Sequence, residues 1–305
     1  MRVRTITILV FANLLFVSSL IWFYPSTSDF RCDNPFWNGL SEARASFNIL
    51  EISSITELPE EVEGVALLLI PYTPIEDWEI GLLSSFLKRG GVLIVMDDYG
   101  YGGDLLRRLG IRDLLFTHEL LVDPLFCYKN PKLPRAIRLS HEFTGVKDLA
   151  LNHASTLEAS GTVEVLAWSS SFSYLDQDGD LEHDDGEPMG GFAVAARLRV
   201  GEGWLIAVSD PSILINSMID LYDNKSFFER LLEIHGVEKV FLDVSHLPTS
   251  RLDRAKSWLR EAYVLASSPG FSILIITLML IVSLSPIWFE ELRGLGGAEG
   301  GLRNR

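Results

Sequence analysis

The chain begins and ends with long apolar runs, and a polar segment lies between them. The first run is residues 5–24 (TITILVFANLLFVSSLIWFY) and the second is residues 270–289 (GFSILIITLMLIVSLSPIWF), in a charge-free stretch that starts at residue 262. A helix rises about 1.5 Å per residue, so each run is long enough to cross a bilayer core of about 30 Å. We therefore expect two transmembrane helices that flank one hydrophilic domain.

The charges beside these runs predict how the chain is oriented. Arg2 and Arg4 precede the first run, and positively charged ends tend to stay in the cytoplasm. The basic residues before the second run favour the opposite orientation, but the first run usually dominates. A cleaved signal peptide is the alternative for the first run, although its apolar stretch is longer than a signal core. We expect a cell-membrane protein with both termini in the cytoplasm and the main domain outside it.

The expected segments follow from these runs and from the pattern between them. They are an N-terminal anchor (1–24), an extracytoplasmic α/β domain (25–248), a juxtamembrane amphipathic helix (249–261), a transmembrane helix (262–289) and a cytoplasmic tail (290–305).

The first half of the middle segment alternates between strands and helices. Residues 65–70 (VALLLI) and 92–96 (VLIVM) are continuous apolar runs, typical of strands that are buried on both faces. Between them, the Thr73-Pro74-Ile75-Glu76 sequence matches a capping box and predicts a helix over 74–89. A short strand at 47–52 and a short helix at 104–109 complete a βαβα order, which is typical of a parallel sheet covered by helices.

The second half predicts a hairpin and a return to the sheet. Residues 163–168 and 192–200 alternate like antiparallel strands, and Gly201-Glu202-Gly203 predicts a turn into a strand at 204–208. A helix at 226–235, a strand at 240–244 and an amphipathic helix at 250–261 follow. The expected fold is one α/β domain with a mainly parallel sheet.

The charge of the middle segment excludes one class of partner. It holds 21 basic and 38 acidic side chains, a net charge of −17. Such a domain repels phosphate backbones, so we expect no nucleic acid partner. Its roughly 240 residues are enough for one substantial core.

Two cysteines, Cys32 and Cys127, both lie in the middle segment. In an oxidising compartment they could form one disulfide, and the alternative is two unrelated buried thiols. The spacing does not decide between these alternatives.

Several segments together resemble one protein family. They are residues 37–41, 67–72, 90–95 and 241–246, and residues 203–209 followed by Asp210-Pro211-Ser212 with Asn216 and Asn224. Over roughly residues 35–246 the chain is similar to the prokaryotic, membrane-anchored domain of unknown function 4350 family. The resemblance implies a flavodoxin-like layered α/β fold, similar to class I glutamine amidotransferases. It also implies a place beside other membrane or cell-surface proteins, but no particular reaction.

The residues at the strand ends bear on catalysis. A glutamine amidotransferase needs a cysteine on a tight turn directly after a strand, with a histidine to activate it. The strand at 92–96 ends instead in Asp97-Asp98, and Cys127 lies in an irregular, proline-rich segment. This favours a non-catalytic binding or assembly module, as part of a membrane complex or export system. The alternative is a hydrolase or transferase that uses Cys127 or the set Asp97, Asp210 and His246.

A polar ligand pocket is one hypothesis for the carboxyl edge of the sheet. Ligands of open α/β sheets bind beyond the carboxyl ends of the strands. The alternative is helix capping by Ser212 and Asn224 and an ordinary Asp-Pro turn. The candidate pocket residues are Asp97, Asp98, Asp210, Ser212, Asn216, Asn224, Asp243 and His246.

An acidic loop at residues 176–187 (DQDGDLEHDDGE) is the sharpest local motif. Asp176, Asp178, Asp180 and Glu187 match loop positions 1, 3, 5 and 12 of an EF-hand, which predicts Ca²⁺ binding. Glycine at position 4 and Leu181 at position 6 depart from that motif. The alternative is a solvated acidic loop between two strands.

Overall fold

A computed structural model describes residues 2–281 of the chain, apart from the side chains of residues 2–4 and 7. The chain divides into two compact units, Pro25–Ser250 and the segments on either side of it. The last part of the second apolar run, residues 282–289, and the expected tail 290–305 lie outside the described residues.

The unit Pro25–Ser250 contains thirteen of the described strands and four of the described α-helices. The helices are α2 (Ser41–Phe47), α3 (Asp77–Lys88), α4 (Gly102–Arg108) and α5 (Asn224–Ile234), with 3₁₀ turns at Ile55–Glu57 and Pro211–Leu214. The strands are β1 (Leu50–Ile52), β2 (Val65–Leu69), β3 (Val92–Met96), β4 (Leu114–Phe116), β5 (Leu120–Val122), β6 (Arg135–Leu139), β7 (Leu149–Ala150), β8 (Leu157–Ala159), β9 (Glu164–Ser169), β10 (Tyr174–Asp176), β11 (Ala193–Val200), β12 (Gly203–Val208) and β13 (Lys239–Asp243).

Eleven of these strands form one mixed sheet, with the order β1-β13-β2-β3-β12-β11-β9-β6-β7 and β4 paired to β8 beside β11. The first five strands in this order are parallel, as the apolar runs predicted for β2, β3 and β12. The remaining ladders are antiparallel. The expected mainly parallel sheet is therefore wrong, because tight turns such as the one between β11 and β12 return the chain beside itself.

The two faces of the sheet bury different helices. Side chains alternate between faces along each strand, so Ala66 and Leu68 of β2 lie on one face and Leu67 and Leu69 on the other. The first face packs against α2 and α5 with Phe227 and Phe228, and the second packs against α3 and α4. A fully buried Phe or Leu contributes about 1.5–3 kcal/mol relative to an exposed one, so both layers hold the sheet.

Two element boundaries differ from the sequence prediction. Helix α3 begins at Asp77, because the capping box is formed by Glu76 and Glu79 rather than by Thr73 and Glu76. The Glu76 N–H donates to Glu79 Oε2 over 2.8 Å. The strand expected at 47–52 is only β1, because α2 extends to Phe47 and Asn48 adopts a left-handed conformation after it.

The other unit consists of helices α1 (Arg2–Phe23), α6 (Arg251–Ser267) and α7 (Pro269–Ile281). Most large apolar side chains of α1 are exposed, and Trp22 of α1 packs edge-on against Tyr263 of α6 at 6.0 Å.

The two transmembrane helices expected from the sequence are not supported. Among the described residues, no single helix is both long and apolar enough to span a membrane. The apolar part of α1 is Ile8–Phe23, which is shorter than the roughly 20 residues a span needs. The later stretch is broken at Ser268 before Pro269, so α6 and α7 meet at 78° and pass the length and composition test only as a bent pair.

A candidate binding crevice at the carboxyl edge of the sheet

The chain leaves the neighbouring strands β3 and β12 toward opposite faces of the sheet. After β3 it enters α4, whose Leu105 and Leu106 pack on the α3 face. After β12 it enters the 3₁₀ turn at Pro211–Leu214, which packs on the α5 face. The place beyond the carboxyl ends of two such strands is where α/β sheets commonly bind ligands, and we call it the crevice.

Alternation along the strands divides the predicted pocket residues between the two faces. Tyr72, Asp98 and Asp210 continue the α5 face, because they follow Ile70, Met96 and Val208 by two residues each. By the same count, Asp97 and Asp243 continue the α3 face. The eight predicted residues therefore do not form one pocket.

Asp98 and Asp210 supply the acidic groups of the crevice. The Tyr72 hydroxyl donates to Asp98 Oδ1 over 3.3 Å, and the Tyr99 N–H donates to the same oxygen over 2.7 Å. Burial raises the pKa of the Asp98 carboxyl, and the neighbouring charge of Asp97 raises it further. The crevice therefore holds a carboxyl group that gives up its proton less readily than an exposed aspartate does.

Asp210 is fully buried and caps the turn that follows it. Its Oδ1 accepts the Ser212 N–H over 2.7 Å, and its Oδ2 accepts the Asn152 N–H over 2.6 Å. Burial nevertheless raises the pKa of Asp210 to about 7, and the charge of Asp98 acts in the same direction. Near neutral pH, the Asp210 carboxyl is therefore only partly ionised.

Aromatic and histidine side chains around these carboxyl groups were missed from the sequence. Phe30 stacks on Tyr72 at 5.6 Å, and Tyr99 is exposed at the rim. His153 adopts a left-handed conformation with φ 53°, and burial together with Lys132 lowers its pKa. Tyr72 and Tyr99 lie two and three residues after the predicted strands 65–70 and 92–96, so the sequence could have placed them at this edge. His153 does not follow a predicted strand, and only the tertiary structure brings it near these carboxyl groups.

Asp97 organises the loop after β3 on the other face. Its Oδ1 accepts the Gly100 N–H over 2.7 Å and its Oδ2 accepts the Gly102 N–H over 2.8 Å. His118 Nε2 lies 3.1 Å from Oδ2, and this hydrogen bond raises the pKa of His118. Asp97 therefore holds α4 and His118 in place on the α3 face.

Asp243 and His246 belong to a buried ionic network with Glu79 of α3. His246 Nδ1 lies 2.6 Å from Asp243 Oδ2, and its Nε2 lies 3.3 Å from Glu79 Oε2. Burial opposes the charged imidazole, but Asp243 and Glu79 outweigh it and raise the pKa of His246. Both ring nitrogens are occupied by carboxylates, so this set links β13 to α3 and has no nitrogen left to move a substrate proton.

Asn216 and Asn224 join backbone segments. Asn224 Oδ1 accepts the Ala150 N–H, and its Nδ2 donates to the carbonyl groups of Ala150 and Met218. Asn216 accepts the Glu42 N–H and donates to the carbonyl of Phe36 over 2.6 Å. Ser212 contributes its N–H to the cap made by Asp210.

Both cysteines are free thiols in this structure, which corresponds to the second of the two alternatives left open by the sequence. Burial raises the pKa of the Cys32 thiol to about 12, and Glu51 acts in the same direction. Burial and Asp123 raise the pKa of Cys127, which pairs with Pro134 in an isolated bridge. A nucleophilic cysteine needs a lowered pKa, so neither thiol resembles one.

The acidic loop brings carboxylates together after β10. Oxygen atoms of Asp176, Asp178 and Glu187 lie within 4.8 Å of one another, and Asp180 groups instead with Asp178 and Asp184. Asp176 is buried and accepts the N–H groups of Gly179 and Leu181. The first group contains three of the four residues predicted for Ca²⁺, and metal binding there stays a prediction.

The sequence of the chain matches a family profile over most of the α/β unit. The family described as Domain of unknown function (DUF4350) matches residues 36–232. The chain belongs to this family. The DUF4350 match includes Tyr72, Asp98, Asp210 and the acidic loop, whereas Asp243 and His246 lie beyond it.

Solved structures similar to this DUF4350 chain are distant. The N-terminal domain of mmIFT52 has 15% identity and a TM-score of 0.44, over 56% of this chain and 77% of that one. The β-galactosidase of Bacillus circulans sp. alkalophilus has 15% identity and a TM-score of 0.37, over 57% of this chain and 23% of the enzyme. Cytoplasmic protein STM3548 of Salmonella typhimurium has 12% identity and a TM-score of 0.36, over 60% and 75%. These likenesses carry no argument about function, and no curated protein matches the sequence.

Proposed function

We propose that this chain is a non-catalytic binding module whose crevice receives a cationic group of a ligand or partner. The observation that carries the proposal is the meeting of Asp98 and Asp210 with Tyr72 on one face, at the point where the connections of β3 and β12 diverge. Burial removes the two carboxyl groups from solvent, and a cationic group bound there would compensate for that desolvation.

The charges favour an ammonium or guanidinium group over an anion. A cation beside Asp98 and Asp210 offsets the burial that raises both pKa values, because an opposite charge favours the ionised carboxylate. The exposed face of Tyr99 can add a cation–π contact. Among the described residues, the groups of three carboxylates that could hold a metal ion lie in the acidic loop and not in the crevice. We therefore propose an organic cation rather than a metal ion for the crevice.

Membrane attachment is part of the proposal through the exposed apolar helices α1 and α7 and the family resemblance. A membrane surface and a neighbouring membrane or cell-surface protein are the expected partners, with the α/β unit outside the cytoplasm. A cationic side chain of such a protein is a suitable occupant of the crevice.

The proposal is tested by calorimetry on the full chain in detergent with putrescine as the cationic probe and succinate as the anionic one. We expect putrescine to bind and succinate to give no heat. The Asp98→Asn variant should weaken putrescine binding at least about tenfold, because a charge-assisted contact contributes about 1.5–3 kcal/mol. Asp220→Asn is the matched control, since Asp220 is exposed and lies in the turn before α5. Equal binding by both variants, or no binding of putrescine by the native chain, would contradict the proposal.

A further inference from the structure

One segment of the α/β unit is basic, although the unit as a whole is acidic. Residues 124–141 contain Lys129, Lys132, Arg135 and Arg138 and no acidic side chain. Cys127 and Pro134 pair across this segment, and the Tyr128 N–H donates to the Leu133 carbonyl, so it folds back as a hairpin. Arg135 is paired with Asp148, so the positive charge near the turn of the hairpin comes from the exposed Lys129 and the half-buried Lys132.

Aromatic side chains accompany these cations. Phe126 stacks on Phe172 at 6.0 Å, and Lys129 Nζ lies 4.6 Å above the ring of Tyr128. Phe126 and Tyr128 flank Cys127, which forms the isolated bridge of the hairpin. Leu125 is 65% exposed and Phe172 is 49% exposed. We call this set the basic–aromatic surface: Leu125, Phe126, Tyr128, Lys129, Lys132 and Phe172.

The acidic loop, residues 176–187, is the complement of this surface. It contains seven acidic side chains and no lysine or arginine, and five of the acidic residues are exposed. Within residues 2–281, none of the seven forms a salt bridge, and neither Lys129 nor Lys132 does. Each patch therefore keeps its charge in the single molecule.

The two patches leave opposite ends of one short ladder. Strands β5 and β10 are antiparallel, with Leu120 opposite Asp176 and Val122 opposite Tyr174. The acidic loop follows Asp176, and the basic–aromatic surface starts just after Val122 and just before Tyr174. Three paired residues separate the two ends by about 10 Å at roughly 3.4 Å per residue. The two patches are therefore close together on the surface, and they extend from the ladder in opposite directions.

We propose that a second copy of this chain docks here, with a two-fold axis beside β5 and β10. In a two-fold interface every contact occurs twice. The acidic loop of each copy therefore contacts the basic–aromatic surface of the other copy. The pairing neutralises charge and covers Leu125 and Phe172. Lys132 lies beside His153, next to the crevice, but the pairing does not depend on what the crevice binds.

A charge-exchange experiment on the full chain in detergent tests this interface. One variant, K129E/K132E, makes the basic–aromatic surface acidic. The other, E182K/D185K, makes the acidic loop less acidic, and no carboxylate hydrogen bond from Glu182 or Asp185 holds the loop in the described structure. The control K225E/K239E changes the net charge equally through two exposed lysines elsewhere on the unit. Sedimentation equilibrium reports the protein mass at low and at high salt.

We expect the native chain and the control to be dimers at low salt, with a dissociation constant that rises at least about tenfold at 0.5 M salt because exposed charges are screened. Each variant alone should be monomeric, and an equimolar mixture should form a heterodimer. In that heterodimer the native acidic loop of one copy meets the native basic–aromatic surface of the other, and in the second contact the introduced charges of the two variants have opposite signs. Recovery by mixing also shows that the variants are folded. A monomeric native chain at low salt, a dimer that persists in both variants, or a mixture that stays monomeric would each overturn the proposal.

Discussion

At the scale of residues, the charge of the crevice depends on Asp210. This carboxyl group is buried after β12, and its pKa of about 7 lies within the physiological range. Asp98 lies beside it on the same face and is only partly buried. A cation that enters the crevice should therefore release part of a proton, and its affinity should rise as the pH increases through about 7.

The sequence could predict some of these positions but not their partners. The apolar runs place Asp97, Asp98 and Asp210 at strand ends, and counting alternate residues along each run separates Asp97 from Asp98. The contact between Glu79 and His246 joins residues far apart in the chain, so no local pattern contains it. Asn216 and Asn224 were predicted at the edge, but whether an amide faces a ligand or a backbone is decided by the tertiary structure.

The network of His246 predicts a pH dependence of stability. The pKa of His246 is raised in the folded state, so the stabilisation by its charged form is complete below the unfolded value, about 6.5, and is lost as the pH rises through the folded pKa. His246→Gln should reduce the free energy of unfolding by about 2 kcal/mol at pH 5.5 and by less at pH 8.5. Denaturant unfolding of the full chain at both values measures this.

His141→Gln is the control for this variant, because His141 lies outside the network. It should leave the free energy of unfolding nearly unchanged at both values of pH. A loss in His246→Gln that is equal at pH 5.5 and 8.5 would show that the network is not ionic.

At the scale of elements, glycine residues allow α3, β3 and β12 to approach closely. A Cβ atom at Gly203 would lie 2.3 Å from the Gly91 carbonyl oxygen and 2.5 Å from that of Leu87. The sequence predicted the turn at Gly201-Glu202-Gly203, but not that the second glycine is needed for packing against α3. The start of α3 was also mispredicted because it depends on a tertiary contact. Glu79 forms the capping box with Glu76 and also lies beside His246, which is far away in the sequence.

Gly203→Ala should therefore lower the free energy of unfolding by about 1–3 kcal/mol, because backbone atoms must move to admit the methyl group. The matched variant is Gly81→Ala within α3, where an added Cβ meets nothing within 4 Å. That change should stabilise the helix by about 0.5–1 kcal/mol. Denaturant unfolding of both variants decides whether the close approach exists, and equal effects would contradict it.

The acidic loop carries the prediction of Ca²⁺ binding. If Asp176, Asp178 and Glu187 share one ion, millimolar calcium should raise the melting temperature by mass action, and magnesium should raise it less because it requires tighter octahedral geometry. Asp178→Asn should remove the rise, and Asp185→Asn, outside both groups of carboxylates, should keep it. No thermal shift with calcium would leave only a solvated acidic loop.

At the scale of the whole molecule, the sequence pattern shows an apolar run near each end of the chain, but it does not show where the helices in these runs begin, end or bend. A charge-free run does not reveal that the chain bends at Ser268 and Pro269, and the short strands β4, β7 and β8 are too brief to produce a pattern of their own. The antiparallel half of the sheet is formed mainly by β11, β9 and β6, and no strand was expected from the sequence at β6. The buried runs, in contrast, were long enough to predict β2, β3 and β12 correctly.

The location of the α/β unit outside the cytoplasm is a prediction at this scale. An epitope inserted between Asp184 and Asp185, in the exposed loop, should be stained by antibody on intact cells. Staining of the loop epitope only after permeabilisation would contradict the predicted location.

The central claim, that the crevice binds a cation, is tested most directly by the titration of Asp210 itself. Carboxyl-carbon NMR of the full chain, assigned by the signal lost in Asp210→Asn, gives its pKa with and without putrescine. We expect a midpoint near 7 for the free protein, because the group is buried. Saturating putrescine should lower this midpoint by about one pH unit or more, because an opposite charge at close range favours the carboxylate. A midpoint that does not move when putrescine is added would contradict the account.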